Sequence, residues 1–194
     1  MTHQANPPRG KEAVKEALFN AAAYCFAEHG ISNTSVREIA TRAQVNHGLV
    51  HRHFGSKDEL LKALLRRLAD AVDQRLNQRF GNGPIPPPAE LLPQIFADTT
   101  AVGLHWRVVL RALLEGVQPE ELQTQFPVFK TLVSSYRSLG HSSDVALAEA
   151  ALAFSTGLGF LTFQGYIQTA ITNEGGNWET VRPILMQRFL SKLS

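Results

Sequence analysis

The sequence holds a single cysteine, Cys25, so no internal disulfide can form, and nothing in its cysteine usage points to an oxidising compartment. Ala21, Ala22 and Phe26 around it assign this thiol to packing. Charge is also sparse. Ionised residues make up 19% of the chain against 44% apolar ones, and the net charge is +2, a composition that excludes a disordered or fibrous chain. No alternation of apolar and polar residues runs long enough for a strand. The stretch from Met1 to Lys11 is polar, contains prolines and lacks the apolar core of a signal peptide, so the expected location is the cytoplasm. There is no phosphate loop, nucleophile elbow or pair of carboxylates on one helix face. Gly157-Leu158-Gly159 lies within a helical run and follows no strand, so it is not a nucleotide fingerprint. Neither an enzyme nor a bound cofactor is expected.

What the sequence does contain is helix punctuation. Val14, Leu18, Ala21, Ala22 and Cys25 share one face of a helix over Lys11–His29, and Gly30 is its natural stop. Ser35-Val36-Arg37-Glu38 forms a capping box that opens a short helix, Ser35–Ala43. Asn46 caps a second short helix ending near Phe54, with Gly55 as its stop. Ser56-Lys57-Asp58-Glu59, another capping box, opens a long helix toward Phe80. The run 81–88 (GNGPIPPP) breaks structure. Further helices are expected over Ala89–Val102, His105–Gly116, Pro119–Leu139, Ser143–Thr172 and Asn177–Leu193, with Pro127 and Pro183 kinking or shortening theirs.

Charge is unevenly spread. Through Arg67 there are ten Lys/Arg against six Asp/Glu, and beyond it nine against eleven; five of the seven histidines also fall in the first part. A small basic module on a mildly acidic body suits binding to a polyanion. The two short helices, joined at Gln44-Val45, have the layout of a helix-turn-helix. Ile39, Ala40, Val45, Val50 and Phe54 are spaced to face inward. That leaves His47, Gly48, Leu49, His51, Arg52 and His53 on or near the outer side of the second helix, where they could enter a major groove of double-stranded DNA. Ser35 and Asn46 at the helix starts, with Arg37 and Lys57 in flanking first turns, complete the candidate DNA contacts, the two cations reaching for phosphates. His47 and His51 lie one turn apart, as metal ligands can. No Cys, Asp or Glu on that face completes a site, so no metal is expected.

The run TSVREIATRAQVNHGLVHRHFGSKDELL, Thr34 to Leu61, resembles the N-terminal signature of the TetR family of one-component transcriptional regulators over nearly its whole length. Where that family has a turn glycine this chain has Gln44, at a position that calls for positive φ. Asn46 replaces the usual capping Ser or Thr, and His51 replaces a tyrosine that often contacts phosphate in relatives. A neutral imidazole there can still donate one hydrogen bond, and a protonated one adds charge, so the residue alone does not fix whether operator affinity varies with pH.

The resemblance implies an all-α protein. Its three-helix helix-turn-helix domain would span 1–66, and a helical ligand-sensing and dimerisation domain 67–194. Such a protein is a sequence-specific repressor released from operator DNA by a small effector. The sensor pocket is expected among the middle helices, with Phe96, Thr100, His105, Trp106, Leu110, Leu113, Phe126, Phe129, Phe154 and Phe160 as candidate lining, hence a hydrophobic effector. The helix over Ser143–Thr172 is apolar all round, which suits a large core or a membrane span. Glu149, Gln164, Gln168 and the lack of basic flanks argue against the membrane. The last two long helices of each subunit are expected to build a homodimer. Ala153, Gly157 and Gly159 would admit the partner, and Trp178, Val181, Leu185 and Phe189 would supply the apolar face of the final helix.

Overall fold

The computed structural model describes residues 8–81, 83–96, 101–122 and 125–193. These contain ten helices and no strand: α1 (Lys11–His29), α2 (Val36–Arg42), α3 (Gly48–Phe54), α4 (Lys57–Phe80), α5 (Pro88–Phe96), α6 (Ala101–Leu114), α7 (Pro119–Leu122), α8 (Pro127–Ser138), α9 (Ser143–Asn173) and α10 (Trp178–Leu190). Local chemistry sets the first boundaries. The Glu38 N–H donates to Ser35 Oγ at 3.1 Å, the Gly48 N–H to Asn46 Oδ1 at 2.8 Å and the Glu59 N–H to Ser56 Oγ at 3.1 Å. Only half of each capping box forms, because Glu38 turns to His29 and Glu59 to Lys62. Between α2 and α3 the Val45 N–H reaches the Ala40 carbonyl and the Gln44 N–H the Thr41 carbonyl. This is a Schellman stop with Gln44 in the left-handed position at φ 57°.

Further along, the expected Ala89–Val102 helix ends as α5 at Phe96, and α6 starts earlier than expected, at Ala101. The expected Pro119–Leu139 helix is two, α7 and α8. Pro127 opens α8, where its missing N–H costs nothing. Pro93 and Pro183 lie inside α5 and α10.

The chain divides into two compact units. The first is Met1–Ala71 with Thr100–Gln125, the second Val72–Thr99 with Phe126–Ser194. A break at 66/67 therefore does not describe the packing, since α6 returns to pack against α1. In the first unit Leu18, Phe26, Ile39, Val50, Leu60 and Leu65 are buried together, joined by Val108, Val109 and Ala112 of α6. Each of these Val, Leu, Ile and Phe side chains contributes about 1.5–3 kcal/mol on burial.

In the second unit α8 packs on α5 and α9, and α10 on α9. Val128, Leu132, Val133 and Tyr136 of α8 are buried, as are Ala146, Ala150, Ala153 and Gly157 of α9. Ala153 and Gly157 therefore serve the subunit's own core, which corrects their assignment to a partner contact. By length and composition α9 could cross a membrane. Within the subunit it buries only this stripe of small residues, leaving Leu152, Phe163 (59% exposed) and Tyr166 (79%) uncovered.

Candidate nucleic-acid interface

The outer side of α3 presents His47, Gly48, His51 and Arg52, all exposed, while Val50 is fully buried behind them. Arg37 is exposed on the first turn of α2, and the exposed Ser35 uses its hydroxyl as the cap. Gly48 has no positive φ, and a Cβ there would meet only Asn46 Oδ1, at 3.2 Å. The backbone does not demand glycine at that point of the exposed face, and a Cβ there would press on the side chain that caps the helix.

Three expected contacts are placed differently. Leu49 is half-buried against the core of the first unit, so it supports α3 from behind. His53 is half-buried beside the Phe54 ring, with centroids 6.3 Å apart. Lys57 is the main correction. Its Nζ donates to the carbonyls of Ile31 at 2.7 Å and Thr34 at 3.0 Å, so the ammonium is committed inward and is not a phosphate contact.

That lysine belongs to a polar brace under the α1–α2 turn that the sequence did not disclose. Glu115, just past α6, accepts from the Ile31 N–H at 2.8 Å and from the Ser32 N–H and hydroxyl at 2.6 Å each. Partial burial pushes its carboxyl up. The bonds from Ser32 and Ile31, with the Lys57 charge, more than offset that and hold it below the usual glutamate range. Gly30 at φ 86° lets this carboxylate approach, since a Cβ there would collide with it. Thr34, 1% exposed, donates from Oγ1 to the Gly30 carbonyl at 2.7 Å. Arg107 of α6 pairs with Glu28 at 3.0 Å. Glu115 is more than eighty positions from its partners, and no local motif signals it.

The basic groups near the interface differ in what they are free to do. Arg42 lies over the Tyr24 ring, 3.2 Å from its centroid, and His29 Nδ1 donates to Glu38 at 2.6 Å. Burial, then Glu38, raises the Cys25 thiol, which keeps it in the inert form.

The candidate effector residues do not gather into one set. His105, Trp106, Leu110 and Leu113 lie on α6 in the first unit. There His105 is buried with its ring 5.0 Å from that of Trp106, Trp106 packs on the N-terminal core, and Leu113 is exposed. In the second unit Phe129 and Phe154 meet edge to face at 6.0 Å. Phe160 instead stacks on Trp178 at 6.3 Å, joining α9 to α10, and Phe126 is an exposed N-cap. Thr100 and the side chain of Phe96 lie outside the described residues. A cleft of about 400 Å³ in the first unit has Lys62 and Arg66 on one side and Glu120 and Glu121 on the other. It is charged, contains none of the expected residues and does not suit an apolar ligand.

Residues 15–64 match the family model for bacterial regulatory proteins of the tetR family. An HTH-type transcriptional repressor of Mycobacterium tuberculosis, Rv3405c, is 35% identical over 169 residues, 87% of this chain and 83% of that one. The chain belongs to the TetR family. As a TetR-family member it is a DNA-binding transcriptional repressor and not an enzyme, and regulators of this family bind operator DNA and act as dimers. A transcriptional regulator of Rhodococcus sp. Rha1 superposes with a TM-score of 0.63 at 25% identity, covering 91% of each chain. A TetR regulator of Legionella pneumophila shares the fold at a TM-score of 0.67 and 17% identity, over 93% of this chain and 97% of that one.

Proposed function

We propose that this repressor works in the cytoplasm, reads a palindromic operator with α3 of each subunit and is released from it by a small hydrophobic effector. The observation that carries the DNA reading is the exposed face of His47, Gly48, His51 and Arg52 on a helix anchored by Val50. One such head buries little surface, while two held one DNA turn apart read a palindrome. His47 and Gly48, at the N-terminal end of α3, are the groups for base edges, and Arg37 is the flanking phosphate contact. Selection of bound sequences from random duplex DNA tests this. An inverted repeat is the expected product, and recovery of unselected pool sequence overturns it.

The effector site belongs to the second unit in this reading. The Phe129–Phe154 pair supports it. So does the Tyr136 hydroxyl, buried with no hydrogen-bond partner among the described residues. Burial, then the Glu149 charge, raises this phenol, so it stays neutral and can donate one hydrogen bond to an acceptor on an apolar ligand. For the dimer, α9 offers Leu152, Gly159, Phe163 and Tyr166 at helical spacing on an uncovered face. A Cβ at Gly159 or Gly165 would meet nothing within the subunit, so close approach by a second copy explains glycines that the subunit does not need. The length and apolar character of α9 favour one other reading, a membrane span. Gel filtration without detergent separates the two, since a dimer that stays in solution leaves no room for the span.

A further inference from the structure

His51 sits on the exposed side of α3, one turn beyond His47, and its ring is held from behind. Nδ1 lies 2.9 Å from the Gly55 carbonyl oxygen, and the Gly55 N–H donates back to the His51 carbonyl at 2.9 Å. A carbonyl oxygen only accepts, so Nδ1 carries the hydrogen of that bond. In the neutral ring this leaves Nε2 as a bare lone pair. Phosphate oxygens also only accept. A neutral His51 therefore has nothing to offer a phosphate, whereas the imidazolium offers both an N–H and a charge.

Its position decides which part of the duplex it meets. The N-terminal residues of such a helix reach base edges, and His51, at the midpoint of α3 and one turn beyond His47, lies nearer the DNA backbone. The ionisable groups on the surrounding elements are His47, Arg52 and His53 on α3, Arg37, Glu38 and Arg42 on α2, Lys57, Asp58 and Glu59 in the first turn of α4, and Lys15 and Glu16 on α1, which meets α3 through Phe19 against Phe54. Glu59 is paired with Lys62 and Glu16 with Arg67. Glu38 is held by His29, Arg42 lies over Tyr24, and Lys57 is bonded to two carbonyls. Among the described residues no carboxylate contacts the His51 ring, so the incoming phosphate supplies the negative charge that favours its protonation.

We infer that His51 binds an operator phosphate only as the imidazolium, so that each reading head takes up a proton when it docks. This rests on α3 being the DNA-facing helix. The rival contact is neutral Nε2 accepting from an adenine or cytosine amino group, which takes up no proton.

The test uses the full chain and a duplex it selects from a random pool, titrated over a salt series at about pH 6 and about pH 8, across the interval where imidazoles change charge. The expected result is tighter binding at the lower pH. The slope of log affinity against log salt should also steepen by about two units for the dimer, close to one phosphate contact per head. His51→Gln, whose amide donates at every pH, should show the same slope at both. His47→Asn and His53→Asn, whatever their affinity, should keep the change. An unchanged wild-type slope on a preferred duplex overturns the proposal alone, as does a His51→Gln variant that still steepens like wild type. Pool sequence without any preferred duplex overturns the DNA-facing assignment of α3 and the proposal with it.

Discussion

Lys57 illustrates how far one side chain's partners can redirect its role. A cation in the first turn of α4 suggests a phosphate contact, yet its two bonds to the Ile31 and Thr34 carbonyls make it a brace. Lys57→Ala should lower the unfolding free energy by about 1–2 kcal/mol, low in the range for charge-assisted bonds because the site is half-exposed. Urea unfolding measures that loss, and the salt slope of DNA binding should stay as in wild type. Gln44 is the opposite case, a local strain that the family resemblance already implied. At φ 57° it bears a side chain where the Schellman stop favours none, so Gln44→Gly should stabilise the protein by about 1 kcal/mol in the same measurement. Glu115 adds a pH dependence. Its folded carboxyl titrates below the ordinary glutamate value, so its stabilisation is fully present above that value and lost as pH falls through the folded one. Glu115→Gln should therefore lower the melting temperature at neutral pH. The gap from wild type should close as the pH falls below the ordinary glutamate range, and a gap constant down to acid pH would argue against the carboxylate as the source.

At the scale of elements, the first four helices were legible because their ends are written locally. Ser35, Asn46 and Ser56 cap from positions two or three residues away, and Gly30 and Gly55 stop α1 and α3. The region from α5 to α8 was less legible, since Pro93 sits inside a helix while Pro127 starts one, and proline alone does not say which. On α9 the sequence showed apolar residues all round, but only packing chose the face. Small residues at Ala146, Ala150, Ala153 and Gly157 meet the subunit's core, which leaves uncovered the face with Phe163 and Tyr166 that is proposed above for a second copy. Phe163→Asp should convert the dimer to a monomer in sedimentation velocity with the helical circular dichroism retained, because an unpaired buried carboxylate is costly. A dimer that survives this change would move the interface elsewhere.

At the scale of the whole molecule, α4 contributes residues to both units, which makes it the continuous element through which an effector in the second unit, as proposed above, would act on the reading head. Half-sites lie about 34–36 Å apart on B-DNA, and a shift of a few ångströms between heads spoils simultaneous docking. An effector acts only through its differential affinity for the two dimer shapes, so operator must weaken effector binding by the same factor. Titrating an effector found by thermal-shift screening, with and without saturating operator, should show a difference of about 1–3 kcal/mol. Equal affinities in the two titrations would leave operator binding uncoupled from the effector.

The sequence by itself determined the helical class and the helix-turn-helix with its outward His47, His51 and Arg52, while Gln44 stood out only against the turn glycine of the family the chain resembles. Each of these depends on interactions within a few residues, where spacing and side-chain chemistry are enough. The tertiary structure decided that Lys57 turns inward, that Glu115 clamps Ile31 and Ser32, that Phe160 joins Trp178 and not Phe129, and that α6 packs with the N-terminal helices. Those outcomes depend on groups brought together from distant parts of the chain, and a buried donor or aromatic ring takes whichever partner the packing places beside it.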